Sequence, residues 1–227
     1  MSASCGSVRR ARPLLGTLVE IRVSAGQTAG GRAIERAFSA IERVHRAMSA
    51  QESTSDIARL RAGHRLGLDR WTRRVLERAE ELRSASDGLF DCACCGYALD
   101  GIAKGFAVDR AIEVLRDAGV GKGAVNAGGD LRLFGPDAED VYVRLPQKPA
   151  RLWLIGRVRE AAVATSGRAL LVDPRGAGRT SAALGVTVIA ADCTTADALT
   201  KPCLLEPDRA PELAGRFGAQ ALVFRAP

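Results

Sequence analysis

The sequence is poor in aromatic side chains, in lysine and in histidine. Aromatic residues make up 4% of the 227 positions, histidine occurs twice, and lysine occurs only at Lys104, Lys122, Lys148 and Lys201. Few rings are therefore available to stack on bases. The net charge of +7 comes almost entirely from arginines that are spread along the chain instead of forming a basic stripe. We therefore expect no binding of nucleic acid.

Long apolar runs are also missing from the sequence. A membrane-spanning helix needs about 20 consecutive apolar residues, and Glu20 and Arg22 interrupt the best N-terminal candidate, residues 13–23. Arg9 and Arg10 are followed by this charged segment and not by the apolar region of an export signal. We expect no membrane span and a cytoplasmic protein, with an exported form left open.

The six cysteines have no spacing typical of a disulfide framework or of a zinc site. Cys92, Cys94 and Cys95 form the cluster CACC, but it contains no pair of CxxC motifs, and both histidines are far away in sequence. Hydrophobic residues make up 47% of the chain and can supply a core without covalent links. We expect reduced thiols.

Hydrophobic periodicity predicts helices in the first half of the chain and mostly strands in the second. The predicted helices cover 30–48, a short segment with Ile57 and Leu60, 69–84, 102–118, 195–206 and 210–218. The first predicted strand, Leu18 to Val23, is expected to begin the sheet, and further strands follow between residues 123 and 225. Helices and strands that are partly segregated predict an α+β fold, with a largely antiparallel or mixed sheet flanked by helices and a single domain over residues 1–227.

Five polar and glycine-rich islands stand at the boundaries of predicted elements, where a rigid scaffold commonly presents its functional groups. They are SDGLFD (86–91), DGIAKG (100–105), NAGGD (126–130), ATSG (164–167) and ADALT (196–200). Each island alone has a structural explanation as a turn, a strand end or a helix cap. Their order along one chain is the more informative observation.

This order resembles the ApbE family, the FAD:protein FMN transferases. LGT (15–17) and DPRGAG (173–178) also fit the family pattern, and residues 48–60 are similar to its early Met-Ser and Ser-Asp segment. The resemblance extends over nearly the whole chain. It implies an enzyme that uses FAD and Mg²⁺ and transfers FMN to a Ser or Thr hydroxyl of an acceptor flavoprotein, with release of AMP.

The resemblance also implies the residues of the site. FAD would be bound by Leu15, Gly16, Gly88, Leu89, Phe90, Asp100, Lys104, Gly128, Gly129, Asp130, Ser166 and Leu171. Asp197, Lys104 and Thr200 would be catalytic. Mg²⁺ prefers oxygen ligands, which Asp197, Thr200 and the backbone carbonyl of Gly101 would provide. Lys104 stands at a predicted helix start, where backbone amides already favour phosphate.

Several positions depart from the family pattern. Thr200 stands three residues after Asp197, whereas the family threonine generally stands four after, at the position of Lys201. A lysine ammonium group at that position can replace a metal charge. Ala98 stands where the family has an aspartate, and Leu170 where it has a histidine. The segment between the SDGLFD and DGIAKG islands is also shortened.

These departures leave three functions open: a minimal FMN transferase, an FAD pyrophosphatase that produces FMN and AMP, and a non-catalytic FAD-binding or scaffold protein. The resemblance names no acceptor, and a homo-oligomer is compatible with the sequence. We expect Asp109, about two helical turns beyond Gly101, to fix its helix to a neighbouring loop, with a direct role in the site left open.

Overall fold

Antiparallel strands form the centre of the computed structural model, which describes residues 6–94, 96–144, 150–167, 172–176 and 183–225. The strands are β1 (Ser7–Leu14), β2 (Thr17–Ser24), β3 (Gly123–Ala127), β4 (Asp130–Phe134), β5 (Glu139–Arg144), β6 (Leu152–Val158), β7 (Ala162–Gly167), β8 (Ala183–Ala190) and β9 (Gln220–Arg225). One sheet has the order β1-β2-β3-β4-β7-β8-β9, and each neighbouring pair in it is antiparallel. β5 and β6 form a separate two-stranded sheet.

Helices cover one face of the large sheet. They are α1 (Gln27–Met48), α2 (Asp56–Arg61), α3 (Arg70–Ala85), α4 (Ala103–Asp117), α5 (Cys193–Leu205) and α6 (Ala210–Gly215). α1 packs against α4, and α4 packs against α5. None of the helices in the described part of the chain is long and apolar enough to cross a membrane.

The main core lies between the large sheet and the helices. The apolar stripe predicted for α1 is buried there and includes Ala37, Ile41 and Val44. Burial of a side chain the size of Ile41 contributes roughly 1.5–3 kcal/mol. A smaller cluster, which includes Val141 and Val163, packs β5 and β6 against the other face of the sheet. Successive strand residues point to opposite faces, so β3 contributes alternate side chains to the main core and to the smaller cluster.

The predicted α+β class is confirmed, and the bounds of the longer helices lie within three residues of the predicted ones. One prediction about the sheet is wrong: residues 18–23 do not begin it, because β1 precedes β2 and forms the edge. β1 has the sequence SVRRARPL, of which Val8 alone is buried. Charged residues and proline are typical of edge strands. They also remove the apolar alternation by which a strand is recognised.

Candidate active site

The segment from Asp100 to Gly105 lies between two cavities. The first cavity encloses about 290 Å³ and is lined by Leu15, Gly16, Val44, His45, Met48, Ser49, Ala50, Gln51, Asp100, Ala103 and Lys104. The second cavity encloses about 350 Å³ and is lined by Leu89, Phe90, Asp91, Cys92, Cys94, Ala98, Asp100, Gly101, Val172, Pro174 and Lys201. Asp100 therefore lines both cavities, and each cavity has one lysine in its wall.

The turn between β1 and β2 forms one wall of the first cavity. Leu15 and Gly16 have φ angles of 56° and 70°, in the left-handed region that costs a residue with a side chain roughly 1–2 kcal/mol. The backbone N–H of Leu15 donates a hydrogen bond of 3.2 Å to Nδ1 of His45 on α1. This contact ties the strained turn to the end of α1.

A second glycine turn, between β3 and β4, packs directly on the first. Gly128 and Gly129 have φ angles of 63° and 107°, and a Cβ atom on Gly128 would lie 2.4 Å from Oγ1 of Thr17. Oδ1 of Asn126 accepts a hydrogen bond of 2.9 Å from the Gly129 N–H. The turn therefore requires glycine at 128, and it places Asp130 at the start of β4.

Four charged side chains, Lys104, Asp130, Asp197 and Lys201, form what we call the charge cluster. Nζ of Lys104 donates to Oδ2 of Asp130. Nζ of Lys201 donates to Oδ1 of Asp197 at 2.5 Å and to the backbone carbonyl of Asp197 at 3.0 Å. Oδ2 of Asp197 accepts a hydrogen bond of 3.1 Å from the N–H of Gly105. The formal charges of the cluster cancel.

The pKa values of the two aspartates of the charge cluster are shifted in opposite directions, although burial raises both. Burial, together with the negative charge of Asp197, raises the pKa of Asp130 to about 6. Burial also works against the charge of Asp197, but the ammonium groups of Lys201 and Lys104 outweigh it and lower the pKa of that carboxyl. Lys104 is likewise penalised by burial, yet Asp197 and Asp130 raise its pKa. Near neutral pH the cluster is therefore charged, and Asp130 is the member that titrates closest to it.

The close crossing of α4 and α5 makes this arrangement possible. A Cβ atom on Gly105 would lie 2.2 Å from the carbonyl oxygen of Cys193, so only glycine fits there. Asp109, one helical turn further on α4, accepts hydrogen bonds from the N–H groups of Cys193 and Thr194 at 2.9 and 2.8 Å. It also pairs with Arg132. Asp109 thus anchors α4 to the start of α5 and not to the neighbouring loop that we expected, and it lines a separate cavity of about 440 Å³ and neither of the two described above.

The hydroxyl groups of the TSG and ADALT islands also meet. Oγ of Ser166 lies 2.8 Å from Oγ1 of Thr200, and Oγ1 of Thr200 donates a hydrogen bond of 2.7 Å to the carbonyl of Asp197. Thr165 turns the other way and pairs with Thr187 on β8 at 2.8 Å. The end of β7 therefore contacts α5 beside Asp197 through Ser166.

The magnesium ion implied by the resemblance does not fit these donors well. Both carboxylate oxygens of Asp197 already accept protein hydrogen bonds, so a metal ion there would have to displace one of the two donors. A Cβ atom on Gly101 would lie 3.1 Å from Cε of Lys201, so the lysine stem occupies the space beside Gly101. A metal ion beside Gly101 would be repelled by the Lys201 ammonium group, since two like unit charges 4 Å apart repel by roughly 4 kcal/mol near a protein surface. Metal binding by Gly101, Asp197 and Thr200 stays a prediction.

Six of the twelve predicted FAD-binding residues line the two cavities. Leu15, Gly16 and Lys104 line the first cavity, Leu89 and Phe90 line the second, and Asp100 lines both. Gly88 directly precedes Leu89 in the chain, with a φ of 78°. Of the remaining predicted positions, Asp130 belongs to the charge cluster. Gly128 and Gly129 form the turn before it, and Ser166 contacts Thr200. Leu171, like Leu170, lies outside the described residues.

Sequence reasoning missed two parts of the cavity walls. The end of α1 and the segment after it, Val44, His45, Met48, Ser49, Ala50 and Gln51, line the first cavity. For Met48 to Gln51 the signal was the similarity of residues 48–60 to the early Met-Ser segment of the family, whereas Val44 and His45 lie outside that segment. Lys201 lines the second cavity. Its signal was its position four residues after Asp197, one helical turn away on the same face.

The antiparallel sheet with its layer of helices is the fold of solved flavin transferases. The flavin transferase ApbE from Vibrio cholerae has a TM-score of 0.83 and 19% identity, over 96% of this chain and 93% of that chain. The ApbE protein from Thermotoga maritima has a TM-score of 0.84 and 22% identity, over 96% of this chain and 94% of that chain. The flavinyl transferase ApbE from Pseudomonas stutzeri, in its apo form, has a TM-score of 0.81 and 19% identity, over 98% and 92%.

The sequence itself identifies the family. A sequence model of the ApbE family matches residues 15–98 and 95–223, and the chain therefore belongs to the ApbE family. The two matched segments meet at residues 95–98, within the stretch that the sequence analysis described as shortened. No curated protein matches the chain.

Proposed function

We propose that this protein binds FAD across its two cavities and transfers the FMN part to a Ser or Thr hydroxyl of an acceptor flavoprotein, with release of AMP. The observation that carries this proposal is that Lys104 lines the first cavity, Lys201 lines the second, and Asp100 lines both. FAD consists of two ring systems joined by a diphosphate. Two adjoining cavities, each with one ammonium group in its wall, can take the two ring systems and neutralise the diphosphate.

The lysines would act on the charge of the diphosphate. When the acceptor oxygen attacks the phosphorus on the FMN side, a new P–O bond forms, the bond to the AMP phosphate breaks, negative charge grows on the bridging oxygen, and the hydroxyl proton is released to water. Fixed positive groups stabilise such charge because they need no reorganisation during the reaction. Lys104 would bind the phosphates, while Asp197 and Thr200 would position Lys201 and Ser166 through the contacts described above.

The transfer can be tested with purified protein, FAD and an acceptor that carries a Ser/Thr flavinylation motif. We expect a fluorescent acceptor band in a denaturing gel and the release of one AMP for each flavin attached. Lys104→Met should abolish the band, whereas Lys122→Met, which removes a lysine paired with Asp137 on the surface, should leave it unchanged. Free FMN with AMP and no labelled acceptor would identify a pyrophosphatase instead.

One observation favours a second candidate, a protein that binds FAD without reacting with it. The two lysines of the charge cluster are already neutralised by Asp130 and Asp197, which leaves less positive charge for the transition state. In that case FAD would bind with its diphosphate beside the cluster and remain intact. The same incubation would then show bound FAD, with neither AMP nor free FMN.

Other features of the proposal rest on the family resemblance and on composition. A cytoplasmic location, self-association and a single domain over residues 1–227 stay predictions. The resemblance also predicts magnesium as a cofactor, and the donors around Asp197 do not fit that prediction.

A further inference from the structure

α5 is a buried helix with one side chain at its surface. Its residues are all described, and every one of them from Cys193 to Leu205 is buried except Lys201. The Lys201 side chain is 25% exposed, whereas Asp197, one turn earlier, is 1% exposed. The helix therefore presents a single ammonium group to the second cavity, directly above a buried carboxylate.

Lys201 makes two contacts that a cation bound to Asp197 would make. Its Nζ lies 2.5 Å from Oδ1 of Asp197 and 3.0 Å from the carbonyl oxygen of the same residue. A carboxylate oxygen and a backbone carbonyl are the kinds of ligand that hard divalent cations prefer. The second carboxylate oxygen is occupied by the N–H of Gly105.

We propose that Lys201 is a built-in cation that takes the place of a divalent metal ion at Asp197, so that this protein binds the diphosphate of FAD without metal. The second part rests on the proposed function, whereas the first part concerns the protein alone. Lys201 neutralises Asp197, and its position in the wall of the second cavity lets the same ammonium group contact a bound phosphate.

The position of Lys104 also supports the proposal that ammonium groups take the place of a metal ion. Lys104 lines the first cavity and pairs with Asp130, which is 3% exposed. The two buried carboxylates thus have one ammonium partner each. A divalent cation at Asp197 would compete with the Lys201 ammonium group that already neutralises this carboxylate, whereas a phosphate in the second cavity would meet the exposed part of that ammonium group.

Direct metal titration tests the first part without FAD. We expect the wild-type protein to show no saturable binding of Mn²⁺ when free Mn²⁺ is followed by electron paramagnetic resonance. Lys201→Thr, which removes the ammonium group and adds an oxygen donor, should gain one site, and Lys201→Thr combined with Asp197→Asn should lose it again. Saturable binding by the wild type that Asp197→Asn abolishes would overturn the proposal, as would a Lys201→Thr variant that folds and gains no site.

Titration with FAD tests the second part and needs only the wild-type protein. We expect the same dissociation constant, within a factor of about two, in excess Mg²⁺ and in a chelator. A loss of affinity of about tenfold or more in the chelator would contradict the proposal while leaving FAD binding intact. If no FAD binds under either condition, the proposed function fails, and the Mn²⁺ titration still decides the role of Lys201.

Discussion

Two buried aspartates join α4 to α5, and they do so in different ways. Asp109 is held by two backbone N–H groups and the Thr194 hydroxyl at the start of α5, together with Arg132. Asp197 is held by one backbone N–H group and by the ammonium group of Lys201, which reaches the second cavity. Both carboxylates thus accept backbone N–H groups and pair with a cation, and they differ in the cavity that this cation lines. Lys201 lines the second cavity, whereas Arg132, like Asp109 itself, lines a separate cavity of about 440 Å³. Of these two cavities only the second is lined by residues predicted to bind FAD, so we propose a structural role for Asp109 and a ligand-binding role for Asp197.

The largest expected effect is on the structural member of this pair. Asp109→Ala removes the acceptor for the first N–H groups of α5 and leaves Arg132, whose side chain is 15% exposed, without its partner. Breaking a buried ion pair costs about 3–5 kcal/mol. We expect a loss of this size in the free energy of unfolding, measured with urea.

Asp137→Ala provides a control, because Asp137 is 64% exposed and pairs with Lys122 at the surface. That variant should change stability by less than about 1 kcal/mol. If Asp109→Ala were equally mild, the contact with the start of α5 would not be what holds the two helices together.

The second prediction uses the pH dependence of Asp130, the acidic partner of Lys104. Its pKa is raised to about 6 in the folded protein, so the folded state binds this proton more tightly than the unfolded chain does. The stability that it contributes is fully present below about pH 4 and is lost as the pH rises to about 6, a change on the order of 3 kcal/mol.

Urea unfolding of the wild type and of Asp130→Asn across this range measures that change. The wild type should lose stability relative to the variant between about pH 4 and pH 6, and the difference should stay constant above that range. The pKa of Asp197 is lowered, so the stability that Asp197 contributes has the opposite pH dependence. It is present at higher pH and is lost as the pH falls. A wild type that gained stability relative to Asp130→Asn over this interval would contradict the described burial.

The smallest expected effect concerns the crossing of α4 and α5. Gly105→Ala would place a Cβ atom 2.2 Å from the carbonyl oxygen of Cys193, and relief of that overlap must separate the helices. Overpacking of this kind costs about 1–3 kcal/mol. Calorimetry should therefore show a lowered melting temperature, together with weaker binding of FAD because the Gly105 N–H moves away from Asp197.

Gly31→Ala is the matched control for this substitution. Gly31 lies in α1, and a Cβ atom there would meet nothing within 4 Å. Alanine is the better helix former by about 0.5–1 kcal/mol, so this variant should be more stable than the wild type. Equal effects of the two substitutions would show that the tight crossing has no special role.

Much of the fold could be predicted because its signals are local. The apolar spacing along α1 and α4 and the glycine turn between β3 and β4 each report on neighbouring residues, and the structure has these elements where they were expected. β1 was missed because an arginine-rich edge strand has no apolar alternation. The order of strands across the sheet depends on contacts that are distant in sequence, which periodicity does not describe.

The site was predicted in part, for a related reason. The family resemblance selected islands that do meet in space, such as Leu15 with Lys104 in the first cavity and Ser166 beside Thr200. It did not select Lys201, because the resemblance transfers only those residues that match the family, and Lys201 is a departure from it. Helical geometry placed Lys201 and Asp197 on one face, but only the structure shows the ammonium group on the carboxylate.

A crystal structure of the protein with FAD, grown in the presence of a chelator, tests the central claim most directly. We predict that the two ring systems occupy the two cavities and that the phosphate oxygens lie within hydrogen-bond distance of Nζ of Lys104 and Nζ of Lys201. FAD bound elsewhere on the molecule, or a diphosphate that contacts neither lysine, would contradict it.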